Sequence, residues 1–478
     1  MTLSTYVWPL EPPPDPAFEP PLDVVIQDVH DGRPEPGTRG VLRPRSRHAR
    51  RAAERDRLPA GERGTRVLAA VGVAVVCGVI CWHVTVRAVL AQEGVLNAAY
   101  TVLVSTYVVS RFGLAALYRP PRDAGLEPRV AIVVPAFNEG EAVLRTIDAC
   151  LSLEYPRDKL EVVVIDDGSQ DDTWQHMQAG AARHGRDAVR CIALGSNQGK
   201  RAAMAAGIRA TTAEILLFVD SDSMPAPNAV RLLVQAFADP RVGAVSGITH
   251  VRNASTNALT RMQAARYYVS FQLLKTAESV IGAVSCCPGC FAAYRREAIL
   301  ALLPGWEHQR FLGVECTYGD DRALTNRVLK AGWRSVYHAR AQAWTDAPDG
   351  YRKFFRQQLR WKKSWTREGP ILLSHVWRTR PLAFPSVLVA TLAGLASPLV
   401  MIYNLVLHPA LTGIIPLLYV TALYLVAMAY GLLHRSQRKD GNWIWAILGT
   451  LFYVAFSAQL LWALLRLRDG SWGTRAPA

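Results

Sequence analysis

The sequence contains no G-x-x-x-x-G-K-[ST] loop and no G-x-G-x-x-G turn, which excludes P-loop ATPases and dinucleotide-binding enzymes. Its nearest approach, "SNQGK", carries one glycine of the expected pattern. Cysteine is sparse, and the eight residues at 77, 81, 150, 191, 286, 287, 290 and 316 form no secreted disulfide framework. Cys287 and Cys290 make a C-x-x-C without a second such pair or a histidine pair, so neither zinc nor redox chemistry is expected of it. No short n-region leads into the first apolar run, which stands behind roughly 60 polar residues; a cleavable signal peptide is not expected.

What is present is apolar sequence in long blocks, half of the 478 residues being apolar. Val67 to Val86 carries no charged residue, and its length matches the roughly 20 residues that cross a bilayer core. Val95 to Ser110 reaches spanning length if Arg111 snorkels to the interface and the helix continues to Tyr118. Leu382 to Leu407 and Leu411 to Leu433 read as a hairpin joined at "HPA". Residues 1–65 are polar and Pro-rich, with too little apolar content to fold. Their end, "RPRSRHARRAAERDR", supplies much of the net charge of +15. Beside a spanning helix it reads as a positive-inside signal that attracts anionic lipid, and no nucleic-acid partner is expected. The same rule makes the chain a multi-pass cell-membrane protein: two spans in 66–118, a cytosolic block 119–350, an interfacial helix in 351–380 and the hairpin in 381–434. The last apolar run, Trp443 to Leu465, has basic sequence on both sides. That predicts an interfacial or re-entrant segment within 435–478, the alternative being a fifth span that violates the charge rule.

The cytosolic block alternates strand, acidic loop and helix. "RVAIVVPAFNEG" runs as an apolar strand up to Pro135 and then turns polar, and "LEVVVIDDGSQDDT", "VRCIALGSNQGK" and "AEILLFVDSDSM" repeat the scheme. Such alternation predicts an α/β domain with a mostly parallel sheet covered by helices on both faces, and ligands at the carboxyl ends of its strands. Asn138, Glu139, Asp166, Asp167, Asp220 and Asp222 stand at those ends. Strand alternation would turn Asp220 and Asp222 to one side, a hard oxygen pair suited to Mg²⁺ or Mn²⁺ together with a diphosphate.

The segments "VVPAFNE", "IDDGS", "DSD", "GDDR" and "QQLRW" occur in this order between membrane segments. Over about residues 66–475 the chain thereby resembles the processive, inverting, membrane-embedded glycosyltransferases: cellulose, chitin and hyaluronan synthases. The hyaluronan branch is closest, through "YGDDRALTNRVLKAGW", "QQLRWKKSW" and the terminal "WGTR". This resemblance implies a GT-A type domain fused to transmembrane and interfacial helices. It further implies UDP-sugar donors, a growing β-linked polysaccharide as acceptor, and export of that polymer across the bilayer.

The chemistry so implied is displacement at an anomeric carbon with a nucleoside diphosphate leaving, which needs a clamp, a base and an acceptor surface. By resemblance, Asp166 and Asp167 bind the nucleoside, and the loop bearing Pro135, Phe137, Asn138 and Glu139 holds its base and ribose edge. Lys200, Arg201, Gln357 and Arg360 approach the diphosphate, while Asp222, with Asp220, holds the metal. Asp321 is expected as the general base, its basicity raised by a neighbouring Asp320 and a partly dry site, with Asp320 and Arg322 orienting it. Trp361, Gly289 and Cys286 face the acceptor sugar, and Trp472 and Arg475 bring the tail to the catalytic domain as a gate. The helix "DGYRKFFRQQLRWKKSW" is expected to lie on anionic lipid with Phe354, Phe355, Leu359 and Trp365 on its apolar face. The loop "SCCPGCFAAYRR" departs from the Ser-Gly-Pro-Leu order of hyaluronan synthases, which leaves a chitin or chitooligosaccharide synthase using UDP-GlcNAc as an alternative. A non-processive transferase acting on a lipid-linked acceptor, and an inactive scaffold, are the others. The chain ends just after "WGTR", so a pore from fewer helices, or from a homodimer, is expected.

Overall fold

The computed structural model describes residue 78 and residues 95–185, 188–438 and 441–470. The leader, the apolar run 67–86 apart from Gly78, and the tail residues Trp472 and Arg475 lie outside the described residues.

Strands β1 (Val130–Ala136), β2 (Leu160–Asp166), β3 (Val189–Ala193) and β4 (Ile215–Phe218) are parallel neighbours. Every residue of β1 and all but one of β2 are buried. That is the expected state of a parallel strand covered on both faces, and it explains their unbroken apolar runs. Pro135 does not end β1, which pairs on to Ala136 opposite Asp166. The sheet continues through β5 (Met224–Pro225), β6 (Val242–Val251), β7 (Ala292–Arg295) and β10 (Arg334–Thr345), in the order β3-β2-β1-β4-β7-β6-β10-β5. Strand β7 runs antiparallel to both neighbours, so the sheet is mixed but mostly parallel. A separate hairpin pairs β8 (Arg310–Phe311) with β9 (Val314–Glu315). Alternate residues of β1 feed two cores: Ile132 and Val134 pack with Met177, whereas Val133 packs with Met204, Phe218 and Trp306.

Among the described residues four helical segments are long and apolar enough to cross a membrane: Ala99–Leu117, Pro381–Thr412, Leu417–Gln437 and Trp443–Leu465. Helix α1 (Val95–Leu117) contains the first of them. Arg111 does not snorkel as expected; it is buried, lies over the Tyr107 ring and donates to Ser386 Oγ at 2.7 Å. A guanidinium with a hydroxyl and an aromatic face at hand is held between helices rather than at a lipid surface. The hairpin turn also falls later than "HPA", because His408–Thr412 is helical and the chain reverses at Gly413. Asn97 and Asn404 exchange two amide hydrogen bonds of 2.9 Å across this bundle.

Five helices of the catalytic block matter for the site: α2 (Ala142–Leu151), α3 (Thr173–His184), α4 (Lys200–Arg209), α5 (Ala258–Val269) and α6 (Asp320–Lys330). They are followed by a 29-residue helix, α7 (Tyr351–Thr379). The membrane segments contain α8 (Phe384–Ile402), α9 (Leu417–Gln437) and α10 (Trp443–Ala455). The face that α7 buries is not the predicted apolar one. Phe354 is buried against Phe452, Tyr453 and Phe456, but Phe355 is exposed, and Gln358, Lys363, Ser364, Thr366, Arg367 and Glu368 are buried instead. Both flanks of the last apolar run touch the catalytic block. Arg438 meets His250 Nδ1 at 3.1 Å on one side, and Tyr318 donates to the Leu467 carbonyl at 3.1 Å on the other. Between them α10 crosses α5 so closely that a Cβ on Gly449 would lie 3.2 Å from the Met262 carbonyl.

Candidate active site

The rim at the carboxyl ends of β1, β2 and β3 is laced together by backbone donors. Asn138, at φ 53°, donates its N–H to Ser169 Oγ, and its side chain accepts from Gln170 N, each at 2.9 Å. The N–H groups of Glu139 and Gly140 share Thr173 Oγ1 at 2.9 Å. Asp166 accepts from Ser169 N at 3.1 Å, and buried Asp167 accepts from Gln198 N at 2.8 Å and Gly199 N at 2.9 Å. These two acids therefore hold the loops around the strand ends in place. Gly168, at φ 74°, lets two loops touch, since a Cβ there would overlap the Ser196 backbone. Phe137 is half-buried beside them, and Pro135 is buried within β1.

Asp220 and Asp222 follow β4 in a turn closed by Ser223 N donating to the Asp220 carbonyl at 2.9 Å. It is this turn, and not strand alternation, that gathers the pair. Lys200, the first residue of α4, forms an ion pair with Asp220. Burial lowers the Lys200 pKa, but the charges of Asp220, Asp320 and Asp321 outweigh it and the net shift is upward. Asp222 sits at the open mouth of a cleft, reached by solvent yet walled by protein. The loss of bulk water, with the charges of Asp220 and Glu139 added, pushes its pKa up to about 6. Ser223 and Thr345 both donate to its Oδ1 at 3.3 Å, which leaves Oδ2 without a protein donor among the described residues. Two converging carboxylates with uncompensated negative charge and a free oxygen fit a divalent cation that completes its shell with phosphate oxygens and water. Among the described residues no group of three His, Cys, Asp or Glu side chains forms a full protein cage.

Asp321 opens α6 one residue after Asp320. Its Oδ1 accepts the Arg322 N–H at 2.7 Å, and its Oδ2 faces the Cys286 thiol at 3.4 Å. The Cys286 loop is tied to α6 through Thr325, which accepts from Cys287 N at 3.0 Å and donates to the Asp321 carbonyl at 2.7 Å. A Cβ on Gly289 would stand 3.5 Å from Lys200 Nζ and 3.6 Å from Asp220 Oδ1, so this loop also borders the carboxylate cleft. Arg322 does not orient Asp321 with its side chain. That guanidinium lines a separate crevice of about 470 Å³ between the block and the membrane helices, with Glu278, Asn326, Trp365 and Ser386. On α7, Trp361 is 42% exposed beside the Tyr267 ring at 6.1 Å, Arg360 is half-buried, and Gln357 Oε1 is buried without a partner. The structure thus brings Asp220, Asp222, Lys200, Gly289, Cys286 and Asp321 to one cleft.

Comparison with known proteins bears on the same residues. A sequence profile described as glycosyltransferase like family 2 matches residues 128–364. Hyaluronan synthase from Streptococcus pyogenes is 31% identical over 382 residues, spanning 79% of this chain and 90% of that protein. An N-acetylglucosaminyltransferase from Azorhizobium caulinodans is 34% identical over 390 residues, spanning 79% and 96%. The chain belongs to glycosyltransferase family 2. Its fold agrees: a mannosyltransferase from Pyrobaculum calidifontis, solved with GDP-Man and Mn²⁺, aligns with a TM-score of 0.55 at 22% identity, covering 77% of this chain and 98% of that one. The enzyme is thus a glycosyltransferase of the hyaluronan and chitin synthase type, and the α/β GT-A expectation is borne out.

Sequence reasoning misplaced part of the transferase's α4–α6 junction. Arg201 does not face the cleft with Lys200. It is buried, donates to Asp320 Oδ1 at 2.9 Å and to the Trp306 carbonyl at 2.8 Å, and lies over the Trp306 ring. Successive helical residues point about 100° apart, so adjacent cations on α4 serve opposite sides. Asp320 is accordingly held by Arg201 inside the protein, away from Asp321. Residues Trp306, Gln309, Asn326, Arg367 and Glu368 were not singled out at all, although "TRE" within an otherwise basic helix was a visible signal. Buried Lys275 is a further omission; its ammonium donates to the Cys286 carbonyl from a π-helical turn, Ser270–Lys275.

Proposed function

We propose that this glycosyltransferase is a processive, inverting synthase of a β-linked polysaccharide, hyaluronan made from UDP-GlcNAc and UDP-GlcA at the cytosolic membrane face. The observation that carries this reading is the convergence of the Asp321 carboxylate, the Cys286 acceptor loop and the Lys200–Asp220 pair on one cleft. In the reaction the acceptor hydroxyl attacks the anomeric carbon as the bond to the diphosphate breaks, and Asp321 takes the hydroxyl proton through Oδ2. Its Oδ1 is pinned by the Arg322 N–H, so the second oxygen keeps a fixed aim at the acceptor loop. Lys200, kept cationic by the surrounding acids, meets the leaving charge together with Arg360 and Gln357. Asp220 and Asp222 would hold Mg²⁺ or Mn²⁺, which supplies charge neutralisation to the leaving diphosphate when bound. Trp361 offers an exposed aromatic face on which the C–H surface of a sugar packs.

Membrane placement follows from α7, whose C-terminal half leads directly into the apolar segments. The polymer leaves through the spanning helices, and the contacts of both flanks of α10 with the catalytic block support an interfacial or re-entrant last segment. A chitin-type product is the second reading, favoured by the N-acetylglucosaminyltransferase relative and by the cysteines of "SCCPGC". The test is the purified full-length protein in detergent with Mg²⁺ or Mn²⁺, given UDP-GlcNAc alone, UDP-GlcA alone, or both. Polymer and UDP release that require both donors are expected. Polymer from UDP-GlcNAc alone moves the assignment to chitin, and UDP release without polymer refutes processivity.

A further inference from the structure

Beneath the cleft runs a closed chain of buried polar side chains that the reaction itself does not use. From Asp320 it passes to Arg201, whose Nη1 reaches Gln309 Oε1 at 3.3 Å. Gln309 Nε2 donates to Glu368 Oε1 at 2.9 Å, and the same oxygen accepts from Arg367 Nε at 2.8 Å. Glu368 Oε2 accepts from Asn326 Nδ2 on α6 at 2.9 Å, and Arg367 Nη2 donates to the Tyr318 carbonyl at 2.7 Å. Trp306 Nε1 donates to the Asp320 carbonyl at 2.9 Å. The carbonyls on either side of Gly319 are thus gripped, one from α7 and one from the short helix Leu303–Glu307. Gly319 itself, at φ 76°, lies against Ser364 of α7 with no room for a Cβ.

Two cations and two anions balance in this chain, all of them at most 6% exposed. A buried ion-pair network stabilises a fold no better than apolar packing of the same volume, because desolvation offsets the Coulomb gain. What it adds is direction: each bond fixes an angle and a length between two elements. Here the two elements are α6, which opens with Asp321, and α7, which carries Trp361 one turn before Ser364.

We propose that the buried chain Asp320–Arg201–Gln309–Glu368–Arg367 positions the Asp321 carboxylate relative to the Trp361 acceptor face, and so sets how much bound donor is transferred to sugar rather than to water. The inference rests on the transferase reading above, with Asp321 as base and Trp361 as platform. Gln309 and Glu368 are positioning residues, since neither reaches the cleft.

The experiment uses full-length detergent-purified protein and two variants, Glu368→Gln and Gln309→Met. The second cuts the relay while keeping all four charges, so it decides the matter if Glu368→Gln fails to fold. Both donors are supplied, and UDP release and polymer are measured per folded molecule, with the folded fraction taken from size-exclusion and thermal-shift profiles. Misplacement by an ångström costs on the order of 100-fold in transfer. The expected result is therefore a large fall in polymer kcat, a donor KM near wild type, and a raised ratio of free sugar to polymer as water replaces the acceptor. Variants that keep the wild-type kcat and ratio, even at lower Tm, overturn the proposal and leave the chain a purely structural element. A wild-type protein that releases no UDP overturns the transferase reading and this inference with it.

Discussion

The rim of the cleft and the junction beneath it are built from the same residue types in opposite ways. At the rim, acids sit on loops, take backbone N–H groups as partners, and at Asp222 remain open to solvent. At the junction, acids are paired with guanidiniums and closed off from water. The difference follows from what each must do. A rim that receives a charged ligand has to leave charge uncompensated, whereas a junction that only holds distances has to compensate it fully.

The sharpest way to break this comparison is at the one acid that belongs to both regions. Asp321→Asn keeps the helix start but removes the base, and turnover is expected to fall by about 1,000-fold or more, read as UDP release, with an unchanged thermal profile. Next comes the rim. Gly168→Ala forces a Cβ into the Ser196 backbone at a positive φ, a strain of more than about 2 kcal/mol, and is expected to raise donor KM by at least about tenfold or to lose folded protein. No second-site change should rescue it, because the clash is with main chain. At the junction, Gly319→Ala meets a side chain instead, and a loss of about tenfold in kcat is expected. Adding Ser364→Gly should recover part of that loss, and equal behaviour of the two glycine sites would dissolve the distinction. The smallest effect concerns the thiols, where the two regions agree. Burial, with acidic neighbours, pushes both Cys286 at the junction and Cys290 at the rim up to about 12. Because only the thiolate reacts, alkylation at pH 8 should run about 1,000-fold slower than for a free cysteine, which intact-mass labelling rates would check.

The rim was legible in the sequence and the junction was not, for a physical reason. Strand-end acids announce themselves through short-range pattern, an apolar run that stops at a polar loop, so Asp167, Asp220 and Asp222 could be located without any fold. The order of the motifs then pointed to Asp321 and to α7. Arg201 could not be placed the same way, because its partners Asp320 and Trp306 lie 119 and 105 residues away. Charge alone cannot tell a phosphate ligand from a buried strut. Helix α7 misled for a related cause: amphipathic reading assumes that buried means apolar, and here Lys363, Arg367 and Glu368 form the buried face. The D-x-D pair came out correctly placed by an incorrect route, since a turn rather than a strand gathers it.

The seating of Ser364 on Gly319 divides α7 unequally. Trp361 stands three residues to one side and exposed Trp377 thirteen to the other, arms of about 4.5 and 20 Å at 1.5 Å per residue. A rigid rod held at such a fulcrum is a reducing lever, so a change in bilayer thickness that tips its far end reaches the sugar platform damped about fourfold.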